Sequence, residues 1–477
     1  MAAETLYWYD YETFGTDPAR DRPAQFAGLR TDLDFNPLDD PLVLYCRPTP
    51  DYLPQPDACL ITGITPQIAL AKGVHEAEFI QRINAEFSVP SSCVLGYNSL
   101  RFDDEVTRYT LYRNLMDPYA REWRNGNSRW DLIDVARMTA ALRPEGIEWP
   151  LDEAGKKTFK LDRLTVANGI EHQDAHDALA DVKATIALAR MLKQRQPRLF
   201  DYLWKHRGKR AAANLLGLGT WQPLVHASGR FSAEKGSIAV IVALAQDPGN
   251  PNGVVCYDLS VDPEPMLSLA PEALRERLYT STADLPAGVN RIPLKNVHLN
   301  KCPALAPISV IRPEDAQRLK LDLEQCKAHL AQLRQAPGLV AKIQATVTPD
   351  GRRERSKDPD LMLYDGFIGD TDRWQLEHLR MRAPTEMAQL NPEFVDERLP
   401  ELVFRYRARN FPETLAPEEA TRWMTFCRER LTGHRPGASL TVAEYEHRIR
   451  ELEQLHGSSP HAPVLRALRE YLATLPS

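Results

Sequence analysis

The chain has no apolar run approaching the ~20 residues that a membrane-spanning helix needs, and no membrane association is expected. Its opening, Met1-Ala2-Ala3-Glu4, carries neither a basic stretch nor an apolar core, so no secretory signal is expected. Cysteine is sparse and unpatterned: Cys46, Cys59, Cys93, Cys256, Cys302, Cys326 and Cys427 are never spaced Cys-x-x-Cys. An odd, scattered set argues against a disulfide framework or a zinc site and fits reduced thiols in a cytoplasmic protein. Internal repeats and low-complexity tracts are also lacking. Nor is there a positive excess, since the formal net charge is −6. That weakens a nucleic-acid-binding reading without excluding it, because a groove needs only a local basic lining. What is present is the balance of a globular protein, 43% hydrophobic and 26% charged, in 477 residues. That length accommodates two to four domains.

Residues 1–196 alternate strand-like and helix-like stretches, which predicts an α/β domain. Strands are expected at 5–11, 42–46 and 93–97, and helices at 75–87, 102–115, 130–142 and 177–193. Leu179, Val182, Ile186 and Ala189 form a helical stripe in the last of these, and Pro197 follows as a stop signal. Residues 197–350 change character. β-branched runs at 223–226, 238–242 and 254–257, with a turn at 248–253 and a further strand at 292–299, predict a small β-barrel or sandwich. A helix is expected at 313–335. Thr348-Pro349-Asp350-Gly351-Arg352-Arg353-Glu354-Arg355 reads as a charged linker. Beyond residue 358 no strand is expected. Pro417–Leu431 and Thr441–His456 carry helix-start residues and helical periodicity, so residues 351–477 read as a helical domain.

The densest chemical signal is Asp10 and Glu12 in the aromatic run Tyr7-Trp8-Tyr9-Asp10-Tyr11-Glu12. On a strand, residues 10 and 12 emerge on one face. Two carboxylates held so close repel unless a cation sits between them. Asp103 follows Asn98 and Phe102, and His176 stands five residues before Asp181. Brought together, these would form a metal site of four carboxylates with a base beside it. Phosphodiester hydrolysis needs a deprotonated water and charge stabilisation, which two Mg²⁺ ions held by hard oxygen ligands supply, with Mn²⁺ as a substitute. Asp10, Glu12, Asp103 and Asp181 are the candidate ligands, and His176 is the candidate base. Five residues along a helix is a rotation of about 140°, so His176 and Asp181 could not share a helical face. The conflict resolves if His176 lies in a loop and Asp177 caps the helix. Each acid alone has a blander reading; Asp103-Asp104-Glu105, for instance, would suit the first turn of a helix.

The stretches Tyr9-Asp10-Tyr11-Glu12-Thr13-Phe14-Gly15, Leu95-Gly96-Tyr97-Asn98-Ser99-Leu100-Arg101-Phe102-Asp103-Asp104 and His176-Asp177-Ala178-Leu179-Ala180-Asp181 resemble the three motifs of the DEDDh exonuclease superfamily. His-x4-Asp marks the histidine branch, within which the chain is similar to the bacterial exonuclease I family. Asp51–Pro56, Ile61–Pro66, Asn127–Asp131, Ala167–His172 and Tyr406–Pro412 carry the likeness along most of the chain. The resemblance implies an RNase H-like α/β exonuclease domain, an SH3-like β-barrel domain and an all-α C-terminal domain. It implies 3′→5′ exonuclease activity on single-stranded DNA in repair and recombination, a monomer, and docking of the acidic tail of single-stranded DNA-binding protein. It sets Glu12 against substrate as well as metal, and Lys160 as a basic contact where arginine would be expected, trading a bidentate fork for a point charge. Aromatic faces for bases and cations for phosphates are offered by Arg108, Tyr119, Trp123, Arg124, Arg129 and Arg137. Lys205, Arg207, Lys209 and Arg210 could track the backbone further on. Two rivals stay open: the same chemistry on RNA, and a non-catalytic single-strand-binding protein.

Overall fold

The computed structural model describes residues 3–172, 176–348, 356–390, 392–456 and 460–475. The chain forms two compact units: Met1–Ser128 with Gln173–Lys183 and Glu354–Ser477, and Arg129–His172 with Ala184–Arg353.

In the first unit, β1 (Thr5–Thr13), β2 (Pro23–Thr31), β3 (Leu42–Tyr45) and β4 (Ser92–Gly96) lie in the order β3-β2-β1-β4. β1 is antiparallel to β2 and parallel to β4. Its odd residues Tyr7, Tyr9 and Tyr11 are buried with Phe26 and with Phe79, Ile80, Ile83 and Phe87 of the helix Glu76–Phe87. Burying that aromatic face fixes the register and turns the even residues to the opposite face. The expected strands and helices of this region are present, but β2 was not foreseen. It is buried along its whole length, so it shows no alternation, and it opens on a proline.

The C-terminal helices Leu399–Asn410, Pro417–Leu431, Val442–His456 and Ala462–Leu472 belong to this same unit. Tyr445, Ile449 and Leu468 share a core with Phe14, Tyr52, Leu53 and Cys59. Leu402 and Tyr406 share another with Tyr109 and Tyr112. Beyond residue 358 no strand occurs among the described residues. The expected linker falls at residues 349–355, outside the described residues, apart from Thr348.

The chain enters the second unit through β5 (Ser128–Asp131). There β6 (Leu224–Ala227), β7 (Ile238–Gln246), β8 (Gly253–Asp258), β9 (Leu294–His298) and β10 (Ala304–Pro307) form an antiparallel sheet in the order β10-β6-β7-β8-β9. Leu224, Ile241, Val254, Val297 and Leu305 pack with Ala212 and Leu216 of the helix Lys209–Leu216. The helix expected over 313–335 is two helices, Pro313–Arg318 and Leu323–Gln335. Lys320 sits in the left-handed region at φ 53°, and the Leu321 N–H closes back on the Ala316 carbonyl at 2.8 Å. Asp322 then caps the second helix through the Gln325 N–H at 2.9 Å. No helix among the described residues is long and apolar enough to cross a membrane.

Candidate active site

Asp10 and Glu12 share the face of β1 that the aromatic core leaves uncovered, and the β1–β2 register shifts in a bulge directly after Glu12. Asp103 opens the helix Asp103–Arg113, and its Oδ1 accepts the Tyr11 backbone N–H at 3.2 Å, tying that helix to β1. Its neighbours have other roles. Asp104 accepts the Tyr9 hydroxyl at 2.9 Å and pairs with Arg121 at 2.7 Å, while Glu105 pairs with Arg108.

His176 precedes the helix Ala178–Arg195 with a left-handed backbone, φ 72°. Asp177 caps that helix, its Oδ1 accepting the N–H groups of Leu179 and Ala180, each at 3.1 Å. Asp181 lies in the first helical turn. Because His176 stands outside the helix, it can turn toward the same point as Asp181. Ligand atoms of Glu12, His176 and Asp181 all lie within 4.8 Å of one another. Glu12 is buried, Asp181 half-buried and His176 exposed.

The acids crowd one another. Burial, then Asp103, Glu12 and Asp181, push the Asp10 carboxyl well above the usual range. Burial, then Asp181, Asp103 and Asp177, push Glu12 up to about 8. Among the described residues, no protein cation appears among the principal influences on either group. Carboxylate oxygens with an imidazole at the rim are a donor set that fits a divalent cation, whose charge would reverse both shifts.

The candidate strand-binding residues fare unevenly. Arg108 is a correction. It is 6% exposed and saturated, with Nε 2.8 Å from Glu122, Nη1 2.9 Å from Glu105 and a hydrogen bond to the Tyr364 hydroxyl, so it braces the fold instead of offering itself to phosphate. Its guanidinium also lies over the Tyr119 ring, which is half-buried. Trp123 and Arg124 are exposed. They line a cleft of 760 Å³ in the first unit together with Tyr119, Phe367, Trp374 and Arg380. Phe367 and Trp374 have no motif to announce them; their signal is exposure, which the sequence does not reveal.

In the second unit Arg129 is buried and donates to the Asn300 carbonyl at 2.9 Å. Arg137 pairs with Asp134 at 2.6 Å and covers the Phe159 ring. Arg207 stacks 3.4 Å above the Trp204 ring centroid and donates to the Trp204 carbonyl. Lys160, Lys205, Lys209 and Arg210 are exposed.

Family models match along the chain: Exonuclease over residues 7–189, Exonuclease I SH3-like domain over 207–348, and Exonuclease I C-terminal domain over 357–475. The sequence is 49% identical to exodeoxyribonuclease I of Escherichia coli (strain K12) over 447 residues, covering 92% of this chain and 94% of that one. The fold is similar to that of a moderately thermophilic exonuclease I from Methylocaldum szegediense, with a TM-score of 0.95 and 57% identity over 100% of both chains. It is also similar to a zinc-bound form of the E. coli enzyme in complex with single-stranded DNA, with a TM-score of 0.94 and 47% identity over 99% of each chain.

Proposed function

The chain belongs to the exonuclease I family, and from that premise we propose that it is a 3′→5′ exodeoxyribonuclease shortening single-stranded DNA processively to 5′-mononucleotides. The observation that carries this reading is the convergence of Glu12, His176 and Asp181 within 4.8 Å, beside Asp10 and Asp103. Asp10, Glu12 and Asp181, with Asp103 behind them, would hold Mg²⁺, for which Mn²⁺ substitutes. Bound there, such cations lower the pKa of water and offset charge on the phosphoryl oxygens. His176 stands exposed at the rim, where an imidazole nitrogen accepts the proton of the attacking water as substrate approaches.

Grip on the strand falls to aromatics and cations, of which Trp123, Lys160 and Lys209 are exposed and Tyr119, Arg137 and Arg207 half-buried. Trp123 and Tyr119 offer faces for bases, and Lys160, Arg137, Arg207 and Lys209 offer charge for phosphates. In functional terms the chain divides into a nuclease domain (1–196), an SH3-like domain (197–350) and a helical domain (351–477). A cytoplasmic monomer acting in repair and recombination, and recruited by the acidic tail of single-stranded DNA-binding protein, completes the reading.

Digestion of 5′-labelled single-stranded DNA, duplex DNA and RNA of one sequence, with Mg²⁺ or with chelator, tests it. Metal-dependent shortening of single-stranded DNA alone is expected. Preferential shortening of RNA would establish the exoribonuclease instead, and unchanged substrates would leave only a binding protein.

A further inference from the structure

We infer that Gln25 is a positioning residue for His176, acting through Asp177; this rests on the reading of His176 as the base. Gln25 is 2% exposed and lies on β2 directly opposite Glu12, so its side chain shares the face that carries the metal ligands. A buried amide needs partners at both ends, and Gln25 has them. Its Nε2 donates to Asp177 Oδ2 at 3.1 Å and to the Tyr45 hydroxyl at 3.1 Å, while its Oε1 accepts the Ala178 N–H at 3.2 Å. One side chain therefore grips the two residues that follow His176 and anchors them, through Tyr45, to β3.

The two Asp177 oxygens divide the work. Oδ1 caps the helix, and Oδ2 takes the Gln25 amide. Helix capping alone needs only the first, so the second bond fixes the direction from which the helix starts. His176 itself has a left-handed backbone at φ 72°. A non-glycine residue keeps such a conformation only where its surroundings over-determine it. Gln25 supplies that determination 151 positions away in sequence (176 − 25).

The test uses the full-length protein at saturating Mg²⁺. Gln25→Met keeps the length and removes all three bonds. Asp177→Ser keeps a capping oxygen but is too short to reach Gln25, and serves if the first variant folds poorly. Each should lower the single-turnover rate by ~10- to 100-fold, the scale of a misplaced catalytic group, with DNA affinity within about twofold. Amide exchange at Ala178 should quicken in Gln25→Met without metal. The decisive measurement is the double variant with His176→Ala, where removing Gln25 should cost nothing further. Losses that multiply, or a Gln25→Met enzyme with the parental rate, overturn the inference. A parental rate in His176→Ala alone would instead remove the base assignment beneath it.

Discussion

Arg409 Nη2 lies 2.8 Å from Asp51 Oδ2, joining residues 358 positions apart at a point where both are buried. The pair is one link of a larger network. Arg409 also holds Asp360, Arg405 bonds Asp358 and Asp360, and Arg430 reaches Asp358 at 2.9 Å. Burial alone would push the Asp51 carboxyl up, but Arg409, Arg430 and Arg22 overcome it and hold the group well below the carboxylate range.

Removing one partner should therefore be worse than removing both. Asp51→Ala strands buried guanidinium groups and should cost about 3–5 kcal/mol in chemical denaturation, whereas Asp51→Leu with Arg409→Met should cost less. Because the folded pKa lies below the unfolded value, this stabilisation is complete above about pH 4 and is lost as pH falls through the folded pKa. The parent should weaken steeply in acid. A double variant with the same acid dependence as the parent would count against the network's role there.

Asp10→Ala or Asp181→Ala should abolish digestion while the protein stays folded, since each removes a proposed metal ligand and relieves repulsion. Near-normal digestion by either at saturating Mg²⁺ would sink the metal assignment. Glu12 makes the complementary thermal prediction. Its folded pKa, about 8, lies above the unfolded 4.5. Without metal, its stabilisation is full below the unfolded value and fades as pH rises through 8. Thermal melts in chelator should thus drop between pH 6 and pH 8.5, and Mg²⁺ should raise the melting temperature more at the higher pH.

His176→Ala should leave DNA and metal binding in place and slow the chemical step by ~10²–10⁴-fold. Hydroxide can replace a missing base, so single-turnover rates of the variant should recover partly as pH rises. A collapse of DNA affinity in place of rate would reassign the residue.

Trp123 and Phe367 are 64% and 85% exposed in the same cleft, where bases can stack on them. Replacing either with alanine should weaken single-strand binding by roughly 1–3 kcal/mol per lost stack, with little change in salt dependence. Arg108→Ala should behave differently, lowering stability because Glu105 and Glu122 each lose an ion pair. Fluorescence anisotropy across a salt series, with melts alongside, separates the two behaviours.

The sequence carried the chemistry more openly than the architecture. Asp10 and Glu12 were legible because strand alternation and like-charge repulsion act within three residues. Asp177 as a cap was legible because a helical stripe began just after it. Arg108 misled, since a basic residue among aromatics reads alike whether it faces a phosphate or a buried glutamate; Glu122, 14 positions away, and Tyr364, 256 away, decide together with Glu105. Gln25 gave no sign at all. It sits in a strand without alternation, and its partner lies 152 positions later. Asp358 and Asp360, at the edge of an apparent linker, are buried acids of the first unit, a role set wholly by arginines of later helices.

Every residue assigned to the metal site is translated before position 182, yet the unit that houses it is closed by Glu354–Ser477. Arg405, Arg409 and Arg430, which neutralise Asp51, Asp358 and Asp360, are translated long after Asp181. A nascent chain thus holds Asp51 long before it holds the charges that neutralise it, and contacts so distant in sequence form late. A chain interrupted before these helices leaves Asp51 without Arg409, and Phe14 and Tyr52 without the Tyr445, Ile449 and Leu468 that share their core, a substrate for proteases more than a working nuclease. Translation of the C-terminal helices is thus what licenses the unit that houses the acids of β1.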